Sequence, residues 1–292
     1  MAKAKKVVVT GASRGLGALT AKELARKGAH VFVIGLASEV DELRQVARDC
    51  GDPHAWAVCD VRNEAAITAT IDRAAFHLGR IDVVMANAGV ASQSVISDDY
   101  FIGRLKLTMD VNFWGAVYTA RAAWPHLVQS KGYMLFMSSL AGLVNPPMLS
   151  TYNASKAAIR AFAETYRLEG QAFGISTGIG TFSELNTDMT NRGFATKAGE
   201  YLLSIKVKVG GKVYNRRVLP VAEVDPAIQA IVRGINRRYR HIHWPRRVFF
   251  MRMAPWFVQR VVEQFIKPRM RKAHALALAE DGPLTTSLPP TS

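Results

Sequence analysis

The feature that most narrows the folds open to this chain is an alternation. Six short apolar runs, at 7–10 (VVVT), 30–34 (HVFVI), 55–61 (AWAVCDV), 81–89 (IDVVMANAG), 133–139 (YMLFMSS) and 174–182 (GISTGIGTF), are separated by longer stretches of helical character. Runs that are apolar throughout, rather than at every second residue, predict strands buried on both faces. Joining such strands through helices requires right-handed βαβ crossovers, which place helices on each side of one parallel sheet. The pattern therefore predicts a doubly wound α/β fold, with RHIHW near Trp244 as its last strand. VKVGGKVY at 207–214 predicts a small hairpin, because Gly-Gly suits a two-residue turn.

With 292 residues, 49% of them hydrophobic, the chain has apolar material for a single large domain. No run of 18 apolar residues is present, and MAKAKK leads directly into VVVT without a signal-peptide pattern, so the sequence predicts a cytoplasmic protein. Cys50 and Cys59 fit neither a disulfide framework nor a zinc site, and His241 and His243 lack further ligands, so no metal is expected. The net charge of +15 is localised: between Arg233 and Lys272 twelve Lys or Arg face one acidic residue, Glu263, which supplies +11 of it. The organisation read from this is a dinucleotide-binding and catalytic domain over 1–244, a basic amphipathic helical extension over 245–279 and a disordered tail over 280–292.

Directly after the first strand comes Thr10-Gly11-Ala12-Ser13-Arg14-Gly15-Leu16-Gly17, followed by an amphipathic helix ending at Gly28. Glycines here allow a tight turn and close approach to a pyrophosphate, and the helix N-terminus presents free N–H groups to its charge. Strand, glycine turn and helix in this order predict a Rossmann-type dinucleotide site. The end of the second strand reads Gly35-Leu36-Ala37-Ser38, with no carboxylate for the adenosine ribose. With Arg14 able to pair with a 2′-phosphate, NADP(H) is favoured and NAD(H) is the alternative. Further along, Tyr152-Asn153-Ala154-Ser155-Lys156 sets a phenol and an ammonium four residues apart, on one face of a helix. Tyrosine titrates near ~10, and a phenolate working at neutral pH needs ~4 kcal/mol of preferential stabilisation, part of which a cation supplies.

Taken together these residues resemble the short-chain dehydrogenase/reductase family over about residues 5–244. The shared features are the TGxxxGxG turn, Asp60-Val61, Asn87-Ala88-Gly89, Asn112, Ser139, and Tyr152 with Lys156. The resemblance implies an oxidoreductase in which Tyr152 is the general acid/base, Ser139 hydrogen-bonds the reacting oxygen, and Lys156 holds the nicotinamide ribose and depresses the Tyr152 pKa. Asn112 would position a relay water. Gly11, Ser13, Arg14, Gly15, Leu16, Gly17 and Leu36 would hold the phosphates and adenosine. Asp60 and Val61 would contact the adenine, Asn87 would tie the central strands together, and Ala88 and Gly89 would line the cleft. Phe182-Ser183-Glu184-Leu185-Asn186-Thr187 departs from the family's Pro-Gly turn but keeps Thr187 for the carboxamide. Family membership also implies a homodimer or homotetramer.

The loops at about 90–100, 140–151 and 187–221 carry Leu143, Val144, Pro146, Pro147, Met148, Leu149, Met189 and Phe194, which points to a small lipophilic carbonyl or alcohol substrate. For the basic extension two readings stay open. It is either a cover packed on the substrate loops or a neighbouring subunit, which is preferred, or a helix pair on an anionic membrane. A nucleic-acid partner is not expected. Reduction of a 3-ketoacyl group on a carrier protein, and a non-catalytic dinucleotide sensor, are the alternative functions.

Overall fold

The computed structural model describes residues 4–187, 196–209, 212–217 and 220–279. The first six strands are β1 (Lys6–Thr10), β2 (His30–Gly35), β3 (Trp56–Val58), β4 (Val83–Ala86), β5 (Tyr133–Met137) and β6 (Ser176–Phe182). Six helices alternate with them: α1 (Gly15–Arg26), α2 (Val40–Asp49), α3 (Glu64–Leu78), α4 (Phe101–Met109), α5 (Gly115–Ser130) and α6 (Ser150–Gln171). The remaining elements are α7 (Lys197–Leu203), the hairpin strands β7 (Ser204–Val209) and β8 (Lys212–Arg217), α8 (Val224–Arg237), β9 (His241–Trp244), α9 (Arg247–Met253), α10 (Pro255–Ile266) and α11 (Met270–Ala279). Seven strands form one parallel sheet in the order β3-β2-β1-β4-β5-β6-β9. The order reverses between β1 and β4, and a crevice opens beyond the carboxyl ends of strands at such a switch point.

Alternate residues along each strand explain the two layers. Val8, Phe32, Ile34, Val84 and Phe136 face α3, α5 and α6, while Val7, Val9, Val31, Val33 and Leu135 face α1, α2 and α8. Each such side chain contributes ~1.5–3 kcal/mol by leaving water. β3 and β4 fall furthest short of their apolar runs. β3 stops at Val58 because the chain turns at Asp60, whose carboxylate accepts from the Arg62 N–H at 3.0 Å. β4 stops at Ala86 because the Asn87 side chain takes over the bonding, donating to the carbonyls of Thr10 and Gly11 at 3.0 and 2.9 Å.

Helices α4 and α5 are continuous through a single π turn at Asp110–Trp114. β7 and β8 form the expected antiparallel hairpin, with Val209 opposite Lys212; its Gly-Gly turn, Met189, Phe194 and the tail at 280–292 lie outside the described residues. The C-terminal helices fold back on the domain. Val248 packs with Leu140 and Val144, and Ile266 and Ala273 pack with Val95, Met148, Ala198 and Leu202. Arg269 Nη1 caps the end of α7, donating to the carbonyl of Ser204 at 2.6 Å.

Candidate active site

A cavity of about 530 Å³ opens at the carboxyl ends of β1, β4 and β5. One end is the glycine turn. At Gly17 a Cβ would lie 2.3 Å from the Gly11 oxygen and 2.5 Å from Asn87 Nδ2, so only glycine lets α1 start this close to β4. Gly15 has φ +57° and open space above it. The first turn of α1 carries no side-chain cap at Arg14 and no acidic residue, which leaves its N–H groups to an anion in the cavity. Gly11, Ser13, Arg14, Leu16, Leu36, Asp60 and Val61 line the same end, and Ala88, Gly89 and Thr187 line the middle. Thr10 Oγ1 accepts from the Asn87 and Ala88 N–H groups at 3.1 and 3.2 Å, which fixes the loop after β4 against β1. This cradle fits a dinucleotide pyrophosphate.

One acidic group absent from the sequence expectation belongs to this end. A 3₁₀ turn at Ala37–Glu39 carries the chain back over the glycine turn. Glu39 Oε1 pairs with Arg14 Nη2 at 2.8 Å, Ser13 Oγ donates to Glu39 Oε2, and Glu39 lines the cavity. The premise that no carboxylate stands near the adenosine ribose is therefore corrected: it arrives four residues past Gly35, from the turn that opens α2.

At the centre, the start of α6 brings Tyr152 and Lys156 under the end of β5. Ser138 Oγ donates to the Lys156 carbonyl at 2.8 Å, locking helix to strand. Tyr152 is hydrogen-bonded to Ser139, whose Oγ also accepts from the Ala141 N–H at 3.1 Å. Lys156 Nζ donates to the Met137 carbonyl at 2.9 Å and lies 5.5 Å from the centre of the Tyr152 ring. Burial pushes the Tyr152 phenol up to about 12, with the Ser139 bond pulling it partly back, and pushes Lys156 down to about 8. Burial disfavours the charge on both groups. At neutral pH the phenol is protonated.

Asn112 is the one residue expected in catalysis or cofactor binding that does not line the cavity. It sits behind it in the π turn, donating from Nδ2 to the Val90 carbonyl at 2.9 Å and to Ser155 Oγ at 3.0 Å, and accepting the Val90 N–H at 2.8 Å. Its amide thus pins the loop after β4 to α6.

The model for short chain dehydrogenases matches residues 5–198. The chain belongs to the short-chain dehydrogenase family. Similar proteins include 11-beta-hydroxysteroid dehydrogenase 1A of Arabidopsis thaliana, 34% identical over 246 residues that cover 82% of this chain and 68% of that protein. The 11-beta-hydroxysteroid dehydrogenase A of Sesamum indicum is 34% identical over 256 residues, covering 87% and 71%. The 11-beta-hydroxysteroid dehydrogenase-like 2 of Arabidopsis thaliana is 28% identical over 279 residues, covering 92% and 85%. As a short-chain dehydrogenase the chain is an oxidoreductase acting on CH–OH or C=O groups with a nicotinamide nucleotide.

The far end of this dehydrogenase's cavity is apolar. Leu140, Val144, Pro146 and Leu149 come from the expected loops, whereas Leu143, Pro147 and Met148 do not line it. The C-terminal extension adds Met251, Val258, Val261, Val262, Phe265 and Ile266 with one cation, Arg247, and the loop after β4 adds Gln93. The 258, 262, 265 spacing is one face of a helix and was available as a signal. What it packed against was not.

Proposed function

We propose that this dehydrogenase moves a hydride between NADP(H) and the carbonyl or alcohol carbon of a lipophilic substrate. The relatives' names suggest a hydroxysteroid, or an alcohol of similar bulk and polarity, as the class. The observation that carries the reading is one cavity with a phosphate-binding cradle at one end, apolar helices at the other, and the Ser139–Tyr152 pair with Lys156 between them. A bound nicotinamide dinucleotide supplies or accepts the hydride. Arg14 pairs with the 2′-phosphate in place of Glu39, Lys156 holds the nicotinamide ribose hydroxyls, and Thr187 meets the carboxamide.

In reduction the protonated Tyr152 gives its proton to the substrate oxygen, and Ser139 donates a second hydrogen bond that stabilises the charge developing there. Asn112 acts indirectly, by holding the Val90 loop against α6. Its place behind the cavity also suits the water relay that the resemblance implied. Val144, Val262 and Phe265 exclude water from the reacting atoms and favour an apolar body. The unit is a single domain whose C-terminal helices complete the substrate wall, and exposed Trp114 and Leu168 support a helix-face homodimer or homotetramer.

The test is oxidation of NADPH and of NADH against a panel of steroid and other lipophilic ketones, with wild type and Tyr152→Phe. Turnover with NADPH is expected to fall ~10²–10⁴-fold in the variant while cofactor binding persists. Binding without turnover of any ketone by wild type would overturn the reading.

A further inference from the structure

The inner side of the C-terminal extension completes the cavity, and its outer side is unaccounted for. Within eight residues α9 and α10 expose Phe250 (71%), Met253 (66%), Trp256 (70%) and Phe257 (56%). Soluble surfaces rarely carry such a cluster without a partner. At 100° per residue Arg260 projects between Trp256 and Phe257, so a cation stands inside the aromatic face. From Arg246 to Lys272 there are eight Lys or Arg, of which Arg247 and Arg269 are bonded inward to the carbonyls of Pro220 and Ser204, and one carboxylate, Glu263, which is bonded to Gln259 at 3.1 Å. Val261 belongs to both features, as a wall residue of the cavity that is itself 54% exposed, so the cavity's mouth lies at this patch.

We propose that this face docks on an anionic lipid bilayer, with the cavity mouth turned toward the lipid. Trp and Phe beside Arg and Lys is the composition of a helix lying in the headgroup plane, where aromatic rings enter the acyl boundary and long cationic stems reach the lipid charge. The contact is peripheral, since no described helix is long and apolar enough to cross a membrane. A second copy is the poorer occupant: a two-fold contact would set each basic segment against its own image and repel. The docking itself does not depend on the reaction proposed above; delivery of a lipophilic substrate through the mouth does.

The test is co-sedimentation of the full chain with vesicles of phosphatidylcholine alone or with 30% phosphatidylserine. Binding to the anionic vesicles is expected to exceed that to the neutral ones and to weaken as salt is raised. Replacing Arg260 and Lys267 by Gln should weaken it about 30-fold, and the triple change Phe250→Ser, Trp256→Ser, Phe257→Ser should abolish it. None of these side chains lines the cavity, so retained NADPH binding reports an intact fold in each variant. Absence of binding at low salt, or equal binding by the triple variant, overturns the proposal. So does a triple variant that changes only the oligomeric mass in light scattering, which would assign the face to a second copy.

Discussion

Replacing Lys156 by Met should make the protein more stable while removing its activity. Lys156 is 5% exposed, and burial holds it at about 8 against an ordinary 10.5. The folded state therefore disfavours the ammonium by about 3 kcal/mol at pH 7, taking 1.36 kcal/mol per pKa unit. A base whose folded pKa is depressed carries this penalty in full below the folded value. It loses the penalty as pH rises from about 8 toward 10.5, where the unfolded chain releases its proton as well. Methionine removes the charge but also the bond to the Met137 carbonyl, worth ~1.5–3 kcal/mol for a charged donor, so a net gain of about 1 kcal/mol is expected at pH 7. That advantage should shrink by roughly 2.5 kcal/mol between pH 7 and pH 10 and reverse in sign. Urea unfolding of both proteins at the two pH values, without cofactor, measures it. A stability difference that does not change with pH would refute the argument from burial, whatever its sign.

Glu39→Gln removes the carboxylate paired with Arg14 and should tighten NADPH roughly 5–30-fold with little change for NADH, by fluorescence titration; the opposite pattern would make Glu39 a reader of the ribose hydroxyls. Gly17→Ala forces a methyl to within 2.3 Å of the Gly11 oxygen, and should lower stability by about 1–3 kcal/mol in thermal or urea unfolding and weaken both cofactors. Val262→Phe adds bulk to the apolar end, and is expected to reduce kcat/KM for steroid-sized ketones at least about tenfold while sparing small ones, by comparison across the panel.

The sheet was legible because its signal is local: Val7 to Val9 and Tyr133 to Met137 are short, apolar without interruption and rich in β-branched or aromatic residues, as strands covered on both faces are. The glycine turn and the Tyr152–Lys156 spacing were legible for a similar reason, since each is set by backbone geometry within a few residues. Glu39 was not, because its position depends on a 3₁₀ turn whose direction no residue in Leu36-Ala37-Ser38 announces. Nor was the balance of charge at Tyr152, since the spacing that places Lys156 beside it says nothing of how deeply both are buried. The role of the extension lay between these cases. Its inward stripe of Val258, Val262 and Phe265 was readable as a face, but that face meets Val144 and the cavity only through contacts more than a hundred residues apart.

The π turn at Asp110–Trp114 has a consequence of phase. A helix advances 100° per residue, so one surplus residue in a single wide turn lets the two halves of a continuous rod be indexed independently. The C-terminal half can keep Ala116, Ala120 and Ala123 against the sheet while Asn112 is aimed at Val90. Deleting one residue there would close the wide turn to an ordinary one and leave both halves in nearly the same phase, yet would remove the bulge from which Asn112 reaches Val90.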